Sequence, residues 1–325
     1  MSLRLGKLDN DDLERLVLKK FVRVRPEPLS MPAIGQDCAT LDIGGDLLVL
    51  SCDPITSASI AHLGRLTVHV NCNDAAAAGA DPIGLLVTLL VPPSCELDDI
   101  SRIAGDLSAA AQLAGVDVLG GHTEVTDAVS RPVTSAAVIA RQKRGAALPG
   151  MRPGDDVVLT KSAAIEGTSI IAKDFSHLLS GVDAETIERA RNFSGLLSVV
   201  PESKIALDTG AHAMHDVTEG GVLGALWELS FANGCGIAAE SDKIPVRRET
   251  AALCAALGLD PLRLIGSGSL LIASPDGAKT VHTLGAFGVA ASVVGRAVQD
   301  GQCTLDGKPL EEPHADEIYR LYDRA

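Results

Sequence analysis

Acidic and amide side chains stand beside glycines, or at the ends of predicted strands and helices, at several points along the chain. They are Asp37 in GQDCA at 35–39, Asp53, the group Asn71, Asn73 and Asp74, the segment GGHTE at 120–124, and HDVTEGG at 215–221. Carboxylate oxygens suit hard cations such as Mg²⁺, which keeps waters and substrate phosphates as its other ligands. Glycines beside them allow backbone N–H groups to approach a phosphate. The pattern favours chemistry on a phosphate with a divalent cation.

Most of these residues also have a purely structural interpretation. Asp37 and Asp53 are typical of turns, and Asp216 or Thr218 is typical of a cap on the helix that follows. The pair at 73–74 is different, because it interrupts an apolar helical face where a buried carboxylate without a partner is costly. A functional role is therefore favoured there.

Familiar signatures of other site types are missing from the chain. It contains no G-x-x-x-x-G-K-[ST], no G-x-G-x-x-G and no G-x-S-x-G, so any phosphate chemistry uses another scaffold. His212 and His215 have the spacing of two residues that face the same way on a helix. No third zinc ligand is evident, so we interpret them as ordinary polar histidines.

The elements that would position these groups alternate between strands and helices. Strands are predicted at 46–51, 83–91, 116–119 leading into a glycine turn, 132–140, 156–160 and 269–273, and helices at 64–80, 97–113, 201–210, 221–233 and 249–257. A dense run of Pro and Gly, LPGMRPGD at 148–155, predicts a boundary near residue 150. The expected fold class is α/β (α+β), with domains at 1–150 and 151–325.

Composition restricts the classes of partner. The 325 residues include 46% hydrophobic and 22% charged residues, but only 2% aromatic residues, so the core must be aliphatic. The formal charge of −14 and the scarcity of aromatics argue against a nucleic-acid partner and an anionic membrane surface. No apolar run reaches the ~18 residues of a membrane span, and the N-terminus lacks the apolar core of a signal peptide. Seven scattered cysteines without C-x-x-C spacing predict reduced thiols and a cytoplasmic location.

Taken in order, these segments resemble the PurM-like superfamily of aminoimidazole ribonucleotide synthetase. The superfamily also includes thiamine-monophosphate kinase, selenophosphate synthetase and the HypE hydrogenase expression/formation proteins. The resemblance covers about residues 35–298. It rests on GQDCA at 35–39, Asp53, the N-x-x-D-x-x-x-x-G-A-x-P pattern from Asn71 to Pro82, GGHT at 120–123, D-x-T-x-G-G at 216–221 and SGSLLIA at 267–273.

The resemblance implies an ATP-dependent enzyme that works with Mg²⁺ and forms a homodimer through its N-terminal domains. It implies that ATP activates an oxygen of a small molecule or of a carrier protein. By position, the metal ligands would be Asp37, Asp53 and Asp74. Cofactor contacts would come from Asn71, Asn73, Gly120, Gly121, Thr123, Thr218, Gly220 and Gly221, and the catalytic groups would be His122, Asp216 and Glu219.

Within the superfamily, the segments at 120–124 and 210–228 resemble the HypE proteins most. HypE ends in a tail with a terminal cysteine that accepts a carbamoyl group, whereas the last cysteine here is Cys303. The predicted acceptor is therefore another small substrate or a carrier in trans. Two alternatives remain: a small-molecule kinase of the thiamine-monophosphate kinase type, and a non-catalytic ATP-binding scaffold or sensor.

Overall fold

The structure, a computed structural model, describes residues 8–45, 47–56, 58–313 and 315–322. The predicted strand at 46–51 begins at Asp46, which lies outside the described residues. The chain divides into two compact units. The small unit holds 27–30 and 37–147, and the large unit holds the described residues of 8–26, 31–36 and 148–322. The predicted domain boundary at residue 150 stays a prediction.

The helices are α1 Asn10–Leu16, α2 Ile60–Ala77, α3 Leu97–Ala114, α4 Ile165–Asp174, α5 Ala184–Arg191, α6 Val200–Thr209, α7 Gly221–Asn233, α8 Arg248–Leu257, α9 Gly277–Ala286 and α10 Tyr319–Tyr322. The strands are β1 Ala39–Asp42, β2 Leu47–Ile55, β3 Asp81–Val91, β4 Asp117–Val125, β5 Val133–Gln142, β6 Asp156–Thr160, β7 Ala213–Asp216, β8 Gly236–Ala239, β9 Leu270–Ser274, β10 Ala291–Val298, β11 Cys303–Leu305 and β12 Lys308–Pro309. The mixed α/β class predicted from the alternating pattern is confirmed. Among the described residues, no helix is long and apolar enough to cross a bilayer.

The small unit is a five-stranded sheet in the order β1-β2-β5-β3-β4, packed against α2 and α3. Its pairs are antiparallel except β3 and β4, which run parallel and are joined by α3. Fifteen of the 18 residues of α2 are buried. Gly64 explains its close approach to α3, because a Cβ there would lie 2.4 Å from the Leu107 nitrogen.

The structure corrects two local predictions in the small unit. The predicted glycine turn at Gly120–Gly121 is wrong, because β4 continues through both residues and pairs with β3 as far as Val125. Asp53 is not a turn residue either, because β2 extends to Ile55 and pairs with β5 on both sides of it. In each case a neighbouring strand supplies the hydrogen bonds that keep the backbone extended.

The large unit contains a seven-stranded sheet in the order β12-β11-β8-β10-β6-β9-β7. One aliphatic cluster joins the sheet to α7 and includes Leu159, Leu226 and Leu271. A second cluster joins α4 and α8 to Ile318 and Leu321 near α10. Small aliphatic side chains fill most of both clusters, as the shortage of aromatic residues predicts.

Candidate functional site

Three predicted site residues come together where α2 packs against β2. The Asn71 Oδ1 atom accepts the Asp53 backbone N–H at 2.9 Å, and its Nδ2 atom lies 3.3 Å from the Asp53 carbonyl. The Ser51 hydroxyl donates to the Asp74 carboxylate at 2.5 Å. Residues 71 and 74 are neighbours on one face of α2, and 51 and 53 lie on one face of β2. The packing therefore brings the Asn71 amide to the backbone of Asp53 and the Asp74 carboxylate to Ser51 on the same strand.

The Asp74 carboxylate lies in a nearly dry environment. Its side chain is 4% exposed, and Asn71 and Asn73 are both fully buried. Burial, together with the negative charge of Asp74, raises the pKa of the adjacent Cys72 thiol to about 12. The thiol therefore stays protonated, and the ionisable donors of this cluster are oxygens. That donor set fits Mg²⁺, which prefers oxygen ligands.

The other two residues predicted in this part of the chain are Asp37 and Asn73. Asp37 is exposed and lies two residues before β1. Asn73 is buried in α2, but residues two apart on a helix do not share a face with each other. Their predicted roles as metal ligand and cofactor contact stay predictions.

The segment Gly120–Thr123 lines a cavity of about 420 Å³ between the β3–β4 pair and α3. The remaining wall is mostly apolar, with Thr134 among its polar residues. The His122 Nε2 atom lies 3.3 Å from the Glu124 carboxylate, and both side chains are largely exposed. The backbone of this segment therefore faces a space that can hold a small ligand.

In the large unit, the predicted residues at 216–221 form a tight turn between β7 and α7. The Val217 N–H donates to the Ser269 carbonyl at 2.9 Å, and the Gly221 N–H donates to the Thr218 carbonyl at 3.1 Å. Gly220 and Gly221 have φ angles of 89° and 64°. At Gly221 a Cβ would lie 2.5 Å from the Leu262 carbonyl oxygen, so this position requires glycine.

The capping interpretation of Asp216 and Thr218 is wrong. Gly220 is the N-cap of α7, and no side chain of its own segment caps that helix. Asp216 instead ends β7 and is 1% exposed. The helical arrangement of the two histidines is also wrong. His215 lies in β7, and His212, before that strand, contacts the Asp155 carboxylate at 2.9 Å.

Three residues beside this turn are absent from the predicted site. Glu166, in the first turn of α4, and Asp316 are 4% and 2% exposed, and burial raises the pKa of each carboxyl to about 7. The Tyr319 hydroxyl is hydrogen-bonded to Glu219, and burial raises the pKa of this tyrosine. Glu166 carries a sequence signal, because it is a lone carboxylate in the apolar stretch SAAIEGTS at 162–169. Asp316 lies in a polar stretch that gives no such signal.

A buried ion pair also escapes the sequence-based prediction. Lys161 has a φ of 53° directly after β6 and forms a salt bridge with Glu202. Its Nζ atom also donates to the carbonyls of Ser198 and Gly268, each at 2.7 Å. Desolvation lowers the pKa of the lysine, whereas Glu202 acts in the opposite direction. With these partners Lys161 joins the loops at 196–198 and 268, which is a structural role.

Comparisons with family models and with known proteins identify the same family. The model of the AIR synthase related protein N-terminal domain matches residues 35–141, and that of the C-terminal domain matches residues 152–308. The carbamoyl dehydratase HypE of Rhizobium leguminosarum bv. viciae is 29% identical over 286 residues, which is 82% of this chain and 78% of the relative. A putative hydrogenase expression/formation protein of Methanocaldococcus jannaschii is 31% identical over 248 residues, which is 73% and 70% of the two chains.

Solved structures share the fold. AaThiL complexed with AMPPCP and TMP superposes with a TM-score of 0.76 at 20% identity, over 95% of this chain and 97% of that one. The hydrogenase maturation protein HypE in complex with ATP gives 0.72 at 23% identity, over 97% of each chain. A HypE–HypF complex gives 0.71 at 22% identity, over 82% of this chain and 88% of that one. The chain therefore belongs to the AIR synthase related, PurM-like family, and within it is nearest the HypE hydrogenase expression/formation proteins.

Proposed function

We propose that this protein is an ATP- and Mg²⁺-dependent enzyme that activates an oxygen of a small substrate or a carrier, in chemistry of the carbamoyl dehydration type. The observation that carries the proposal is the cluster of Asp53, Asn71 and Asp74 at the junction of β2 and α2. The cluster offers oxygen ligands suited to Mg²⁺. The family of the chain also supports the proposal, because its relatives include carbamoyl dehydratases.

Asp53 and Asp74, with Asp37 as the third predicted ligand, would hold Mg²⁺ and the nucleotide phosphates. Bound Mg-ATP supplies a phosphoryl group that turns a carbonyl or phosphate oxygen into a leaving group. Asn71 fixes the backbone of Asp53 through two contacts, at 2.9 and 3.3 Å, and so orients its carboxylate. Positioning and charge neutralisation dominate phosphoryl transfer, and this cluster with its metal ion would supply both.

The turn at 216–221 supplies the groups proposed to act on the acceptor. Glu219 is half-buried and hydrogen-bonded by Tyr319, and it is the proposed proton acceptor. Asp216, almost fully buried at the end of β7, and Thr218 are proposed to orient the substrate. His122 is proposed to act beside the backbone of Gly120 and Gly121, which lines the cavity behind β4.

The proposed assembly is a homodimer formed along β4. All nine residues of this edge strand are exposed in the single chain. Val118, Leu119 and Val125 are 43%, 52% and 61% exposed, and such an apolar edge typically pairs with another strand. A chain of a HypE–HypF complex shares the fold of this chain, which supports a second protein as a further partner.

An Asp74→Asn variant tests the proposal. Asparagine keeps the size of the side chain but removes the charge that would bind Mg²⁺. We expect ATP turnover to fall by more than the roughly 10–100-fold that loss of a supporting partner costs at a metal site. Mg-ATP binding is measured by calorimetry, and ADP release by a coupled assay. Asp98→Asn, an exposed acid in the first turn of α3, is the matched control and should behave as wild type.

The same assays separate the other functions. No binding of Mg-ATP at millimolar concentration, or normal turnover by Asp74→Asn, contradicts the proposal. ADP release that depends on thiamine monophosphate indicates the kinase alternative. Binding of Mg-ATP without turnover indicates a scaffold or sensor, if turnover stays absent when small carbamoylated substrates or a carbamoylated carrier peptide are added.

A further inference from the structure

Residues 311–313 and 315–322, here called the strap, lie against the turn that carries Glu219. The strap is anchored by Ile318 and Leu321, which are 5% and 0% exposed in the cluster with α4 and α8. The Tyr322 ring also packs edge-on against Phe175, with ring centroids 5.4 Å apart. A segment held by a hydrophobic core in this way can impose a geometry on its neighbours.

Asp316 bonds the strap to the backbone of the turn. Its carboxylate accepts the N–H of Gly220 at 2.7 Å and the N–H of Ile318 at 2.9 Å, and it also accepts the N–H of Ile265. Three donors converge on a side chain that is 2% exposed. The carboxylate therefore connects the turn, the strap and the loop before β9 in one buried network.

This contact places a carboxylate beside the N-terminus of α7. Gly220 is the N-cap residue of α7, and as a glycine it has no side chain to cap the helix. A carboxylate beside the first turn of a helix also interacts favourably with the helix dipole. Asp316 supplies that carboxylate from 96 residues further along the chain.

Tyr319 links the strap to the side chain of Glu219 in the turn. Its hydroxyl donates a hydrogen bond to the Glu219 carboxylate. Pro313 approaches the same turn, because a Cβ on Gly220 would lie 3.3 Å from the Pro313 Cβ atom. The strap thus contacts the backbone of one turn residue and the carboxylate of the residue before it.

We propose that Asp316 and Tyr319 are positioning residues that fix the Glu219–Gly220 turn for the acceptor half of the reaction. The inference rests on the proposed function for its kinetic consequence, but its structural consequence stands independently. Asp316 fixes the path of the backbone, and Tyr319 fixes the direction of the carboxylate. Neither residue is assigned a contact with the nucleotide.

Hydrogen exchange on the purified full chain tests the structural consequence. Asp316→Asn leaves only one acceptor oxygen for three donors, so amide exchange at 217–224 should accelerate about tenfold, as expected for loss of hydrogen bonds to a charged group. Tyr319→Phe removes a single hydroxyl, and should accelerate exchange at 217–224 severalfold while leaving the fold intact. Tyr322→Phe, on the same helix against Phe175, is the matched control and should leave exchange unchanged.

Steady-state kinetics of the same variants test the kinetic consequence. Both positioning variants should lower kcat about tenfold and leave the KM for Mg-ATP within about twofold, because the cluster at β2 and α2 is untouched. Wild-type exchange rates at 217–224 in Tyr319→Phe and Asp316→Asn would overturn the inference, as would faster exchange with wild-type kcat. If the wild-type protein turns over no nucleotide, the proposed function fails, and faster exchange in the variants still supports fixation of the turn.

Discussion

Buried carboxylates of this protein differ in the groups that face them. Asp74 accepts a hydroxyl, Glu202 pairs with Lys161, and Asp316 accepts three backbone N–H groups. Hydrogen bonds stabilise the ionised form of Glu166 less well than that of Asp316. Ser267 donates to its carboxylate, but the Oε2 atom has no hydrogen-bond partner among the described atoms.

This difference indicates which of the two neighbouring carboxyl groups is protonated near neutrality. Burial raises the pKa of both Glu166 and Asp316 to about 7, and the negative charge of Asp316 contributes to the shift at Glu166. The three N–H donors favour the ionised form of Asp316. We therefore expect Glu166 to be the protonated member at pH 7.

Glu166→Gln tests this assignment through the pH dependence of stability. A raised pKa means that the folded state binds more protons than the unfolded state, so wild-type stability falls as pH rises from about 4.5 to about 7. The neutral amide avoids that loss. Relative to wild type, we expect the variant to gain about 3 kcal/mol in free energy of unfolding between pH 4.5 and pH 8.

Urea denaturation at four pH values across this range measures the difference. Glu185→Gln is the control, because Glu185 is 81% exposed and should change stability by less than about 0.5 kcal/mol at any pH. Parallel stability curves for wild type and Glu166→Gln would contradict the assignment.

At the scale of elements, the close approach of the β3 backbone to β4 decides the conformation of the glycine pair in β4. Two adjacent glycines predict a turn, yet both have extended geometry beside β3, with φ angles of 152° and 147°. A Cβ on Gly121 would lie 1.7 Å from the Val87 carbonyl oxygen, whereas one on Gly120 would meet only Leu86, at 3.8 Å. The two glycines are therefore required for different reasons.

Paired alanine substitutions test this distinction. Gly121→Ala must push β4 away from β3, so we expect a loss of more than about 3 kcal/mol in free energy of unfolding, or failure to fold. Gly120→Ala strains only its own backbone and should cost about 1 kcal/mol. Urea unfolding of both variants measures the difference, and equal losses would show that β4 does not pack as described.

At the scale of the whole molecule, the edge strand β4 is uncovered in the single chain. An edge strand presents unpaired N–H and C=O groups, and here apolar side chains accompany them. Leu119→Asp places a charge on this edge. We expect it to convert the proposed dimer into a monomer, because an unpaired charge is costly to bury between two strands.

Light scattering and sedimentation measure the mass, and circular dichroism checks the fold. The matched control is Leu113→Asp on α3, where the leucine is 86% exposed in the single chain. This variant should keep the wild-type mass. A monomeric wild-type protein, or an unchanged mass in Leu119→Asp, would contradict the proposed interface.

Local pattern predicted the type of eleven of the 22 helices and strands among the described residues. Strand β6 and helix α7 have the bounds that hydrophobic runs and glycine signals predict, because those signals lie within the elements themselves. The burial of Asp74 was also predictable, because a polar residue within an apolar helical face is visible in the sequence. The family could be inferred too, because its motifs keep their order over most of the chain.

Only the tertiary structure decided which distant groups meet. The Gly220 N–H donates to the Asp316 carboxylate, and the extended backbone of Gly121 depends on β3. Spacing along the chain reports neighbours within a few residues, whereas these partners are brought together by sheet pairing and by the burial of Ile318 and Leu321. The sequence by itself therefore determined about half of the helices and strands, the family and the buried position of Asp74 in α2. Packing between distant segments determined the conformation of the glycines and the network that holds the Glu219 turn.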